Sequence, residues 1–207
     1  MSIQDRVNVT VSGPMKITEK KNQCPFCREF MQGQTVCPKC GMALENIRYI
    51  EISKNFDLKD CDPRMQDNDD IIKNVNDVLA VSDGRRYAED FEFRNIYYTL
   101  TENNTDSGPV NIKGSLLAGV RVYYVADDDA PKESLALEQI IFRQQLDDKE
   151  HMQLVDKWIA EHPEEMIRRA VVKTHRFSDE TSVSDMFCVY KKSDKIMMNM
   201  SEPGNTF

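Results

Sequence analysis

Four cysteines near the start of the chain have the spacing of a metal site. Cys24 and Cys27 form one C-x-x-C pair and Cys37 and Cys40 a second, in the run CPFCREFMQGQTVCPKCG. Each pair folds as a tight turn that points both sulfurs inward and aims the following backbone N–H groups at them. Pro25 and Pro38 pre-set φ at the second turn position. Gly41 supplies the left-handed conformation just after the last ligand. The stretch Arg28–Val36 is long enough for a short hairpin with Gly33 at its tip, which brings the two turns face to face. The expected result is one structural Zn²⁺ in a tetrahedron of four thiolates, with metal–sulfur bonds near 2.3 Å. Four protein sulfurs leave no position for water or substrate, so the chemistry is structural rather than catalytic. Twenty-odd residues cannot bury a core of their own, and metal binding contributes on the order of 10 kcal/mol to ordering such a module.

Residues 22–42 resemble the short zinc-ribbon family built from two rubredoxin-like knuckles, of general form CPxCG…CPxCG. The second knuckle, Cys37-Pro38-Lys39-Cys40-Gly41, matches in full. The first, Cys24-Pro25-Phe26-Cys27-Arg28, carries Arg where the family usually has Gly, which implies a strained left-handed turn or a different local turn there. The resemblance implies the zinc ligands and little about activity, because such ribbons serve transcription, translation, enzymes and interaction proteins alike. Rubredoxin-type iron is the rival metal. In rubredoxins the knuckles lie further apart around an aromatic core, whereas here only Phe26 and Phe30 are near.

The elements that must position this site follow from hydrophobic periodicity. Arg6–Ser12 alternates Val7, Val9 and Val11 with polar residues and predicts a half-buried strand. Asn46–Ser53 predicts a second strand. The polar segment to Asp70 is a connector. Asp69 or Asp70 caps a helix to about Val81, with Ile71, Ile72, Val75, Val78 and Leu79 on one stripe. Strands are expected over Phe91–Thr101, Val110–Lys113 and Leu116–Ala126, as an antiparallel meander. Helices are expected over Ser134–Asp147, over Lys149–Glu161, and from Pro163 to about Lys173. Asp185–Lys191 predicts a last strand. The order does not alternate strand and helix, so the expected class is α+β: an N-terminal zinc ribbon joined to a mostly antiparallel sheet with packed helices. The expected division is 1–55, a strand plus the ribbon, and 56–207, an α+β body.

The remaining chemistry-bearing residues form no recognisable constellation. Cys61 and Cys188 stand alone and read as small apolar residues. His151, His162 and His175 make no HxxxH or HExxH pair and fit helix-surface or turn positions. Asp127–Asp129 lacks the glycine of an EF-hand loop and reads as a solvated acidic turn capping the next helix. The aromatics of Phe91–Tyr98, with Arg94, fit core packing better than base stacking. Met197, Met198 and Met200 form a soft apolar tail, suited to the chain's own core or to a partner. No glycine-rich phosphate cradle is present.

The 207 residues carry a net charge of −8, unevenly spread. Residues 1–55 hold eight Lys/Arg against five Asp/Glu, and residues 56–207 hold nineteen against thirty. A broad nucleic-acid interface is therefore disfavoured, since such binding needs phosphates neutralised by Lys and Arg. The start MSIQDRVNVTV has no basic region leading into an apolar core, and no apolar run approaches bilayer length. A cytoplasmic protein, or one inside a particle assembled in the cytoplasm, is expected, with no membrane association. The leading functional expectation is a non-enzymatic, zinc-stabilised interaction protein, a subunit or adaptor of a larger protein complex or of a virus particle. Two alternatives stay open. One is a nucleic-acid-associated factor using Lys16, Lys20, Lys21, Arg28 and Lys39 within residues 1–55. The other is an enzyme whose site lies unrecognised in 56–207.

Overall fold

A computed structural model describes residues 7–11, 23–56, 68–81, 84–88, 91–104, 108–129, 135–144, 148–161, 169–176 and 182–191. Its elements are β1 (Val7–Val11), a 3₁₀ turn (Leu44–Asn46), β2 (Ile47–Lys54), α1 (Asp69–Ala80), β3 (Arg85–Tyr87), β4 (Glu92–Asn104), β5 (Gly108–Ala126), β6 (Leu135–Gln144), α2 (Asp148–Glu161), β7 (Arg169–Arg176) and β8 (Ser182–Lys191). All described strand pairings are antiparallel, and they form two sheets.

The five-stranded sheet is organised by β5. On one side β5 pairs with β2, from Ile47↔Val125 to Ser53↔Gly119. On its other side lie β4 and then β3. β1 pairs with the far edge of β2, from Val7↔Lys54 to Val11↔Ile50. The sheet thus draws strands from both sides of residue 55. β5 is one continuous strand of 19 residues rather than two, because β4 follows it across Gly114 and Ser115. The three-stranded sheet has the order β6-β8-β7.

Side-chain alternation gives the larger sheet two different faces. Ile50 and Ile52 of β2 and Val120 and Val122 of β5 join one buried cluster. Ile71, Val75 and Leu79 of α1 complete it, together with Phe91, Leu137 of β6, and Phe187 and Val189 of β8. The predicted stripe on α1 is therefore the face that closes the core. The α1 N-cap is Asn68 rather than Asp69 or Asp70, which occupy the first turn, where negative charge complements the helix dipole. The Asn68 side chain makes no cap bond; its Nδ2 donates to Gln139 Oε1 of β6 at 3.2 Å. About two turns further along the helix, Asn76 Oδ1 accepts from the Leu137 N–H at 2.7 Å and its Nδ2 donates to the Leu137 carbonyl at 3.1 Å. A side-chain amide thus takes the place of a strand neighbour along the outer edge of β6.

Two expected helices are strands over their described residues. Ser134–Asp147 was expected to be helical because Leu137, Ile140 and Ile141 repeat at helical spacing. The chain instead forms β6, paired with β8 over ten residues. Burial of Ala136 and Leu137 and a full ladder outweigh weak helical periodicity. Of the helix expected from Pro163 to about Lys173, residues 163–168 lie outside the described residues, and 169–173 belong to β7, whose Val171, Val172 and Thr174 suit a ladder against β8. The turn Asp127–Asp129 accordingly precedes a strand, not a helix. β1 is an edge strand rather than half-buried: Val9 and Val11 are 50% and 63% exposed. The architecture is mostly antiparallel sheet with two α-helices among the described residues. No helix among them is long and apolar enough to cross a membrane.

Candidate metal centre

The two cysteine turns are a local repeat offset by thirteen residues. In the first, the Arg28 N–H donates to the Cys24 carbonyl at 2.8 Å and the Cys24 N–H to the Glu29 carbonyl at 2.9 Å. In the second, the Gly41 N–H donates to the Cys37 carbonyl at 2.9 Å and the Cys37 N–H to the Met42 carbonyl at 2.8 Å. Each turn is closed by one antiparallel bridge, Gln23↔Phe30 and Val36↔Ala43. The residue after the second cysteine must adopt positive φ in this geometry. Gly41 does so at 71°, and Arg28 at 58°, the single non-glycine positive φ among the described residues. The Arg-for-Gly departure in the first knuckle therefore keeps the left-handed turn and bears its strain, on the order of 1 kcal/mol. Gly33, at φ 83°, turns the chain between the knuckles.

The repeat brings four sulfurs together. Cys24 Sγ lies 3.7 Å from Cys40 Sγ, and Cys27 Sγ lies 3.4 Å from Cys37 Sγ. All four sulfurs lie within 4.8 Å of one another, close enough to hold one metal ion. A tetrahedron with 2.3 Å metal–sulfur bonds has sulfur–sulfur edges of about 3.8 Å. A disulfide needs about 2.05 Å. The spacing fits shared coordination of a soft cation and not covalent pairing, and all four cysteines are free thiols.

Backbone amides prepare the sulfurs for negative charge in the same repeated pattern. Burial pushes the Cys24 thiol up to about 12, against the N–H groups of Phe26 and Cys27. Burial also raises Cys27, opposed by the N–H of Glu29. At Cys37 burial again opposes ionisation, but the N–H groups of Cys40 and Lys39, with the neighbouring thiols, outweigh it and bring the group down to about 7. A bound cation would favour the thiolate at all four positions.

The cysteine hairpin is seated on the second face of the larger sheet. Cys24, Met31, Cys37 and Leu44 share a buried cluster with Ile47, Ala88, Tyr123 and Val125, flanked by Phe26, Cys27, Met42 and Tyr49. Beside this floor runs a ladder of charge. Arg121 Nη2 and Nε donate to Glu51 Oε2 at 2.6 and 3.2 Å, and Arg121 Nη1 lies 3.5 Å from Glu92 Oε2. The Tyr123 hydroxyl donates to Glu92 Oε1. Arg121 also stacks over the Tyr49 ring at 4.3 Å, and Tyr49 meets Tyr123 edge-on at 5.9 Å. Burial alone would lower the Arg121 pKa, but its bonds to Glu51 and Tyr123 outweigh burial and raise it. On the far side of the hairpin, the Arg86 guanidinium sits 5.6 Å from the Phe26 ring centre and 3.6 Å from Asp127.

The other expected residues are dispersed. Lys16, Lys20, Lys21, Cys61, His162 and the methionine tail lie outside the described residues. Arg28 and Lys39 are exposed on the knuckles. His151 falls in α2 and His175 in β7, opposite Val183. Cys188 is buried, its thiol pushed up to about 12 by burial and by Glu138, which fits a small apolar role. Of the aromatic strand, Phe91 and Tyr98 are buried and Tyr97 is 80% exposed. The sequence reading missed Tyr49, Glu51, Glu92, Arg121 and Tyr123 as a group. The visible signal was alternation of charged and aromatic residues with aliphatic ones in β2 and β5, but their partners lie 31 and 70 residues apart. Comparison with known proteins brings no match: no protein-family model, no curated protein and no solved structure is similar to this chain.

Proposed function

We propose that residues 22–42 are a zinc ribbon holding one structural Zn²⁺ through Cys24, Cys27, Cys37 and Cys40, and that the protein is a non-enzymatic interaction subunit built around it. The observation that carries this reading is convergence of four sulfurs to tetrahedral spacing, with every coordination position filled by protein. When bound, the ion supplies cross-linking, not an activated water. The ribbon then displays Phe30 and Val36, each about half exposed, on a rigid support. Contacts of that kind suit a protein partner within a larger complex. Purified protein is expected to contain one zinc per chain by elemental analysis, and to sediment with a defined partner when isolated natively. Metal-free protein would remove the ribbon. A zinc-loaded monomer with no partner would remove the interaction role.

A second reading has one observation in its favour. Arg86 stacks against the knuckle residue Phe26, so β3 adds Arg86 to the exposed Arg28 and Lys39 near the ribbon. Binding of single-stranded or duplex nucleic acid that weakens as salt rises would support contact through this end. Absence of binding at low salt would end it.

A further inference from the structure

β4 pairs with β5 along one side over thirteen residues, and no described strand lies along its other side. An open strand edge presents a row of unpaired N–H and C=O groups, which proteins usually blunt with charge, proline or shortness. The other edges among the described residues are blunted. β1 and β3 have five and three residues, β7 carries Arg169, Lys173 and Arg176, and the Asn76 amide occupies β6 at Leu137. β4 instead contains Asn95–Thr101, NIYYTLT, with no charge, proline or glycine. That composition favours pairing with a further strand. Tyr97 within it is 80% exposed. The one irregularity, opposite Arg94 and Asn95, skips Ala118 of β5, so β4 itself alternates without interruption.

We infer that β4 pairs antiparallel with β4 of a second copy of this chain, about a two-fold axis at Tyr98, joining two five-stranded sheets into one. The pairing uses none of the cysteines, so it goes beyond the ribbon and does not depend on it.

Symmetry and side-chain alternation leave few registers. A two-fold axis normal to the sheet keeps every side chain on its face, so opposed residues must share a face and registers change in steps of two. With Tyr98 opposite Tyr98, all thirteen residues of β4 enter the ladder. Arg94 then faces Glu102 of the second copy, and Glu102 faces its Arg94. Ile96 faces Leu100, Tyr97 faces Thr99, and Asn95 faces Thr101. Opposite charges meet, aliphatic meets aliphatic, and the exposed Tyr97 ring gains a neighbour on each copy. Neighbouring registers lack this match. An axis at Tyr97 sets Glu92 against Glu102, and an axis at Thr99 sets Glu102 against Ile96. Arg94 is open to such a contact: its side chain is 57% exposed, with Glu51 at 3.9 Å. Charge complementarity therefore selects both the partner, a second copy, and the register.

The test is equilibrium sedimentation of the full chain over a range of concentrations, with circular dichroism to confirm folding. The native sequence is expected to show a monomer–dimer equilibrium. Arg94→Glu and Glu102→Arg each oppose like charges at two points, and each should weaken the dimer about tenfold or more. Combining Arg94→Glu with Glu102→Arg restores opposite charges in the same register and should return the dimer. Any damage that Arg94→Glu does beside Glu51 persists in the double variant, so recovery reports contact between copies. A chain that stays monomeric to its highest soluble concentration would overturn the inference. So would a dimer indifferent to both single substitutions, or one that the double variant fails to restore. Zinc content, measured on the same samples, decides the ribbon reading separately.

Discussion

The two faces of the five-stranded sheet are covered by different physics. One face is closed by α1 and the smaller sheet through aliphatic and aromatic side chains, with Ile52, Val122, Leu79 and Phe187 excluded from solvent. The other is closed by a cysteine hairpin with few apolar residues of its own, beside a ladder of Arg121, Glu51, Glu92 and Tyr123. The first face needs only the hydrophobic effect, which is distributed over many residues and degrades gradually. On the proposed zinc reading, the second depends on four sulfurs acting together. A centre that loses one ligand loses the geometry that made the others useful. With the proposed ion bound, one sheet thus carries a face tolerant of single changes and a face that fails in one step.

Several changes would break or sharpen that contrast. The largest effect is expected from metal removal by a strong chelator, or from Cys24→Ser. If the proposed zinc is bound, either removes stabilisation on the order of 10 kcal/mol from the hairpin. Hydrogen exchange should then reach residues 23–46 while α1 and β8 stay protected. Loss of protection throughout would show that the second face also holds the first together. Next, Phe91→Ala should cost about 3–5 kcal/mol in denaturant unfolding with zinc content unchanged. A fall in zinc would show the two faces to be coupled.

Asn76→Ala should cost about 1–3 kcal/mol, since it leaves the Leu137 N–H and carbonyl without partners at the edge of β6. Faster amide exchange at Leu137 is the direct readout. Tyr123→Phe should cost about 1 kcal/mol near neutral pH through loss of the bond to Glu92. Burial, with Glu92 nearby, raises the Tyr123 pKa above its ordinary 10.0. The folded state therefore favours the protonated phenol. Its contribution is complete below pH 10 and declines as pH climbs toward the raised value. Tyr123→Phe should flatten that part of the alkaline stability profile. An unchanged profile would mean that other groups, such as Tyr87 and Cys188, account for it. The smallest effect has the opposite sign. Arg28→Gly should stabilise the zinc-loaded hairpin by about 1 kcal/mol or less, because it relieves a left-handed residue while adding freedom to the unfolded chain.

The cysteine turns were legible because they are local. Residues four to nine apart make the backbone bonds and bridges that shape them, and Arg28 and Gly41 face the same demand for positive φ. The helix at α1 was legible for the same reason: its apolar stripe repeats within twelve residues. β6 and β7 were not, because Leu137, Ile140 and Ile141 satisfy a helical period as well as a strand. The partner that decides between them, β8, lies 38 to 56 residues further on in its pairing with β6. The seat of the hairpin was equally hidden. Nothing in residues 22–42 names Tyr123 or Val125 as its floor.

The order of amino acids alone determined that four thiols would face one point, because C-x-x-C turns and the short span between them leave little choice of geometry. It also determined the helices α1 and α2 and the strand character of β2 and β5. Only the tertiary structure decided which sheet face the thiols would cover, which sulfurs would be buried or exposed, and that a charged ladder would lie beside them. These depend on contacts between residues tens of positions apart, whose pairing is selected by burial of the whole sheet rather than by any local preference.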